Sequence, residues 1–142
     1  MAAITYTASE VRRISGPAPI SVTGGASLTR GDLAYKDTAD DDEYKQATNA
    51  SRAASKAEGI AGGDAEDGTG FILWPSGTVV NFGASQTGVS EGVVYCLGTG
   101  GQIIPEADLT TGVRVVYVGV GLDTANYIEI SVHYPTEDVL AP

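Results

Sequence analysis

The sequence predicts a single all-β domain: a β-sandwich, or a small tulip-like β-barrel, built from two loosely similar halves. Glycine occurs 19 times in 142 residues, about twice its average frequency, which supplies turns. Charged residues make up only 18% of the chain, so long solvated helix faces are scarce. Short apolar runs recur between the glycine turns along most of the chain, as in antiparallel β proteins. A chain of this length buries about two thirds of its unfolded surface in one core, which makes one domain the default.

Residues 1–26 read as an extended N-terminal arm, because the prolines of Gly16-Pro17-Ala18-Pro19 favour extended backbone. The β domain is expected over 27–134. Its first strands are Asp32 to Tyr35 and Glu43 to Ala47. Ala50 to Ala57 has no apolar face beyond alanine and reads as a single helical turn or a coiled connection. Phe71 to Trp74 and Thr78 to Phe82 flank the turn Pro75-Ser76-Gly77, while Gly92 to Leu97 and Gln102 to Ile104 flank Gly98-Thr99-Gly100-Gly101. Val113 to Val120 is nearly continuous in β-branched residues, which predicts a strand covered on both faces at the centre of the core. In Tyr127 to Tyr134, Ile128, Ile130, Val132 and Tyr134 share one face and Glu129, Ser131 and His133 the other, the pattern of a half-buried strand. Residues 135–142, bounded by prolines, read as a second arm.

The halves echo one another about sixty residues apart. Gly31-Asp32-Leu33-Ala34-Tyr35 matches Gly92-Val93-Val94-Tyr95 in type, and Gly59-Ile60-Ala61 matches Gly119-Val120-Gly121. Each match is followed by a polar segment with Asp64 or Asp123, an apolar strand, and Pro75 or Pro135. Two such units could pair their apolar faces.

The net charge of −10 is unevenly placed. Residues 1–56 carry seven basic and seven acidic side chains, whereas 57–142 carry eleven acids and one base, Arg114. No basic cluster exceeds Arg12-Arg13, which argues against a nucleic-acid groove or an anionic-membrane anchor. The apolar stretches are too short to span a bilayer as helices, and Met1 to Thr7 lacks the features of a signal peptide. Cys96 is the single cysteine and reads as a small core residue.

Candidate chemistry is sparse. His133, the one histidine, sits on a polar strand face, and no nucleophile elbow or phosphate-binding glycine loop is present. Asp40-Asp41-Asp42-Glu43 and Asp64-Ala65-Glu66-Asp67 are acidic loops; Asp64, Glu66 and Asp67 are the candidate Ca²⁺ ligands, although the calcium-loop spacing is absent. A hydrolase with an acidic cleft, for example Glu91 with Glu129, has nothing to fix its geometry. No enzyme and no cofactor is expected. Trp74, Val115 and Tyr117 are the apolar candidates for self-association.

The run Gly31 to Tyr35, then Glu58-Gly59-Ile60-Ala61, the acidic turn to Gly68, and Phe71-Ile72-Leu73-Trp74-Pro75-Ser76-Gly77-Thr78-Val79-Val80 resembles the head decoration (cement) proteins of tailed bacteriophages. The likeness continues through Gly92 to Tyr95 and Val118 to Gly121 and covers about residues 28–134. The resemblance implies a compact, non-enzymatic β domain, often a homotrimer with a dimer as the alternative. It implies a partner, the major capsid protein, and a place on the outer capsid surface of the virion after synthesis in the host bacterial cytoplasm. Within that expectation the docking element is the arm, with Val11, Arg12, Arg13 and Ile14, and deleting 1–19 should leave a folded domain. The alternative is a receptor- or glycan-binding head of a phage fibre or tail protein, with Tyr127 after Asn126 as the aromatic–amide pair.

Overall fold

The structure is a computed structural model that describes residues 3–133 and 138–142. The described residues form two antiparallel sheets from eleven short strands: β1 (Arg12–Ser15), β2 (Ile20–Thr23), β3 (Leu33–Asp37), β4 (Glu43–Gln46), β5 (Ala57–Ala61), β6 (Gly70–Pro75), β7 (Val79–Asn81), β8 (Val94–Leu97), β9 (Ile103–Pro105), β10 (Tyr117–Gly121) and β11 (Tyr127–His133). The six-stranded sheet runs β1-β7-β11-β10-β8-β9 and the five-stranded sheet β2-β6-β5-β3-β4. The fold is therefore a sandwich-like all-β domain. The edges of the five-stranded sheet meet only at the isolated Gly24–Tyr44 bridge, so no barrel closes. The segment around Ala50 to Ala57 contributes one 3-10 turn, Ala53–Ser55.

The echo in the sequence is a structural repeat. Setting β1 aside, β7-β11-β10-β8-β9 repeats the order β2-β6-β5-β3-β4. Registers repeat as well: Leu33, Ala34 and Tyr35 pair with Ile60, Gly59 and Ala57, while Val94, Tyr95 and Cys96 pair with Val120, Gly119 and Tyr117. Both ladders skip one residue, Glu58 in the first and Val118 in the second, at the same place. Beside each bulge stands a glycine that no side chain can replace without moving the ladder. A Cβ on Gly59 would lie 2.2 Å from the Trp74 carbonyl oxygen, and one on Gly119 would lie 2.1 Å from that of Glu129. The tyrosines that look alike in sequence do not superpose, because Tyr95 takes the place of Ala34 and Cys96 that of Tyr35.

The two units pack apolar faces against one another, but the faces that meet are not equivalent. The row Leu33, Ile60 and Trp74, joined by direct cross-strand pairs, enters the main core. From the six-stranded sheet that core takes the opposite face, with Tyr95, Val118, Ile128, Ile130 and Val80. The other face of the five-stranded sheet covers a second cluster of Leu28, Ala34, Tyr44, Ala61, Ala65, Phe71 and Leu73.

Three expectations need correction. Of the expected arm 1–26, the described residues 3–26 are not an arm: β1 is the edge of one sheet, β2 the edge of the other, and Ile4 and Val11 are buried in the main core. The Ile4 N–H donates to the Ile103 carbonyl at 2.9 Å, and Thr5 exchanges backbone bonds with Thr87. The prolines occupy the crossing between the sheets, where no ladder N–H is needed. The C-terminal residues 138–142 are likewise held. The Val115 N–H donates to Val139 at 3.0 Å and the Ala141 N–H to Val113 at 2.8 Å. Finally, Val113 to Val120 is not one doubly covered strand, since only Tyr117–Gly121 joins the sheet, with Val118 buried while Tyr117 and Val120 face outward. Tyr134 and Pro135 lie outside the described residues.

Candidate functional site

The four arm residues separate according to strand face. Val11 is fully buried. Arg13 turns back on its own chain, donating from Nη2 to the carbonyls of Gly16 at 2.5 Å and Pro17 at 3.1 Å, so it fixes the β1–β2 crossing. Arg12 and Ile14 remain exposed. Val11 is thereby a core residue, and Arg13 has a structural part in the crossing.

Of the residues expected to mediate self-association, Trp74 belongs to the main core, with its indole over Gly62, where a Cβ would lie 2.6 Å from the ring. Val115 is half-buried beside the C-terminal segment. Tyr117 is 40% exposed, and its phenol is held above the usual range by a hydrogen bond to Glu106. It lies on the outer face of the six-stranded sheet, and cross-strand register defines that face in three rows. The first is Arg12, Asn81 and Tyr127; the second Ser15, Val79, Glu129, Val120 and Val94; the third His133, Tyr117, Cys96 and Ile104. Cys96 is buried in this layer, and desolvation pushes its thiol up to about 12, so it stays a thiol at neutral pH. Val79, Val94 and Val120 were not singled out from the sequence as surface residues, although the echo of Val120 with Ile60 was the available signal, and Glu129 was placed on the polar face of its strand.

The acidic loops do not make one ion site. Asp64 Oδ1 accepts from the Arg30 N–H at 3.0 Å and Glu66 Oε2 from the Ser27 hydroxyl at 2.8 Å, while Asp67 lies near the Glu43 carboxyl. Among the described residues no three His, Cys, Asp or Glu side chains converge as metal ligands. Lys45 ties the first loop down through Asp37 at 2.9 Å and Asp40 at 3.0 Å. An open cleft of about 400 Å³ is lined by Ala8, Ser9, Arg30 and Asp64, two charges with two small residues. Asn126 accepts from Gln86 Nε2 at 2.7 Å, and Tyr127 is half-buried.

Partial desolvation, then Asp40, Asp67 and Asp41, raise the Glu43 carboxyl above its ordinary value. The folded state therefore holds that proton to higher pH than the unfolded chain, and stability falls as pH rises from the unfolded value through the folded one. Glu43→Gln should raise the melting temperature at pH 7, and the gain should vanish below about pH 4, where both states are protonated. Thermal melts of both proteins across pH 3.5–7 read this; an equal gain at every pH would contradict it.

No family model matches the chain, and neither does any curated protein or solved structure.

Proposed function

We propose that this chain is a non-enzymatic structural protein that binds the outer surface of a tailed-phage capsid and stabilises the shell by clamping neighbouring major capsid subunits. The observation that carries this reading is the outer face of the six-stranded sheet, where Val79, Val94, Val120, Tyr117 and Tyr127 stand among Arg12, Ser15, Glu129 and His133 on a two-sheet β scaffold. Such a face suits recognition over an area rather than chemistry in a cleft. The resemblance to cement proteins supports it, because the residues that carry the likeness build the duplicated unit itself: Gly31 to Tyr35 lead into β3, Glu58 to Ala61 form β5, and Phe71 to Val80 span β6 to β7. The acidic surface keeps the protein away from packaged nucleic acid. Many copies on a lattice then add weak contacts at high effective concentration.

The capsid contact within the N-terminal segment is assigned to its exposed apolar residues, Ile14 and Ile20. Purified protein mixed with capsids that lack it should bind saturably and raise the capsid melting temperature, and Ile14→Asp should weaken binding while leaving the domain folded. No rise in capsid melting temperature at saturation would refute the reading. The fibre-head alternative draws little from the Asn126 amide, whose oxygen is already taken by Gln86.

A further inference from the structure

Several cations of this acidic chain are committed to its own carboxylates. Lys45 is held by Asp37 and Asp40, and Arg114 grips Asp138 through Nε at 3.1 Å and Nη2 at 3.2 Å. Lys36 and Lys56 are exposed and form no ion pair among the described residues, although the chain has 18 acidic side chains. The two stand together. Tyr35 of β3 pairs with Ala57 of β5 at the end of their ladder, and Lys36 and Lys56 are the next residues on either strand. One step beyond the last pair, the antiparallel register sets one ammonium stem across from the other, a placement in which like charges repel.

Both lysines line a cleft of about 210 Å³ beside the 3-10 turn Ala53–Ser55 that leads into β5. Tyr35 and Thr38 line it as well, and neither hydroxyl has a hydrogen-bond partner among the described residues. Burial, then the Asp37 charge, hold the Tyr35 phenol above its usual value, which keeps it an O–H donor at neutral pH. Two carboxylates share the lining, and neither reaches a lysine of the pair. Asp37 takes the Lys45 ammonium at 2.9 Å and the Ala39 N–H at 3.1 Å, and Glu58 Oε1 accepts from the Tyr44 hydroxyl at 3.0 Å. Lys56 also lines a neighbouring recess with Arg52 and Arg114, so the positive charge extends to one side of the cleft.

We propose that this cleft binds a small phosphate-bearing anion between Lys36 and Lys56, with the Tyr35 and Thr38 hydroxyls as further donors. Donors arriving from β3 and from the segment before β5 suit the several oxygens of a tetrahedral dianion. A planar carboxylate is better matched by an arginine fork, which neither lysine offers. A dianion also relieves the repulsion between the two ammonium groups. The acidic remainder of the chain repels anions at long range, but that repulsion fades over about 8 Å at physiological ionic strength. Size narrows the class further: the cleft is smaller than the roughly 300–1,000 Å³ of sites for larger organic ligands, so it takes phosphate or a compact phosphomonoester. The cleft belongs to the five-stranded sheet rather than to the face assigned to the capsid, so phosphate binding and capsid binding are tested separately.

Titrating the full chain with inorganic phosphate at constant ionic strength, followed by amide chemical shifts, should move the resonances of residues 35–38 and 53–58 saturably in the millimolar range. Phosphate should also raise the melting temperature, since it binds the folded state. The double variant Lys36→Gln/Lys56→Gln should bind about tenfold more weakly or worse, and Lys36→Arg should recover much of what Lys36→Gln loses. Both lysines are exposed, so these variants keep the fold, and the native titration needs no variant at all. Glycerol phosphate should move the same resonances; tighter binding than inorganic phosphate assigns the site to a monoester, weaker binding to the free ion, and either order supports it. Equal shifts with acetate or chloride, shifts scattered over the surface, or a double variant that binds as tightly as the native chain would overturn the proposal.

Discussion

Deleting residues 1–19 is expected to leave a chain that does not fold. Ile4 and Val11 are 4% and 0% exposed in the main core, and each contributes about 1.5–3 kcal/mol by leaving water. The deletion also removes β1, uncovering the edge of β7, and breaks the bonds that tie Ile4 to Ile103 and Thr5 to Thr87. Together these losses approach the 5–15 kcal/mol, roughly, that holds a domain of this kind folded. Far-UV circular dichroism with a urea titration measures it. A truncated chain with an unchanged cooperative transition would mean that the segment is a true arm. For the same reason, capsid binding by this segment is better probed with point substitutions than with truncation.

Trp74→Ala is expected to cost about 3–5 kcal/mol and to lower the melting temperature by about 10 °C or more. The indole fills the space between β6 and the six-stranded sheet and covers Gly62, so truncation opens a cavity that the ladder of β5 and β6 cannot collapse into. Sedimentation and thermal melts of the same sample separate the two roles that Trp74 could hold. A buried core residue changes stability and leaves the association constant of the folded protein unchanged. Weakened association with native stability would instead place Trp74 at an interface.

Much of the architecture was legible because strands and turns leave local marks. Alternation in Tyr127 to His133 placed Ile128 and Ile130 inside and Glu129 outside, as found. The glycine turns bounded β3, β6, β8 and β9 to within about two residues, ordinary uncertainty for strand ends. Even the repeat was visible in Gly59-Ile60-Ala61 and Gly119-Val120-Gly121, since both glycines meet the same backbone constraint. β1 and β2 were missed, being four residues each, separated by two prolines and mostly exposed, with only Val11 beside them to mark a core contact. The site was less legible than the fold. Arg12 and Arg13 are neighbours in sequence, but one points to solvent and the other closes a turn, because successive residues of a strand face opposite ways.

By itself the sequence determined the strand class, the turns, the doubling of the unit and the uneven charge, all of which depend on residues close together along the chain. Only the tertiary structure decided which face of each repeat turns inward, that Trp74 is core, that the N-terminal segment is woven into both sheets, and that Arg12 and Glu129 share an open face. Those outcomes depend on contacts between segments far apart in sequence. Burial there is set by what packs on top, and neither the periodicity nor the hydrophobicity of a single segment carries that information.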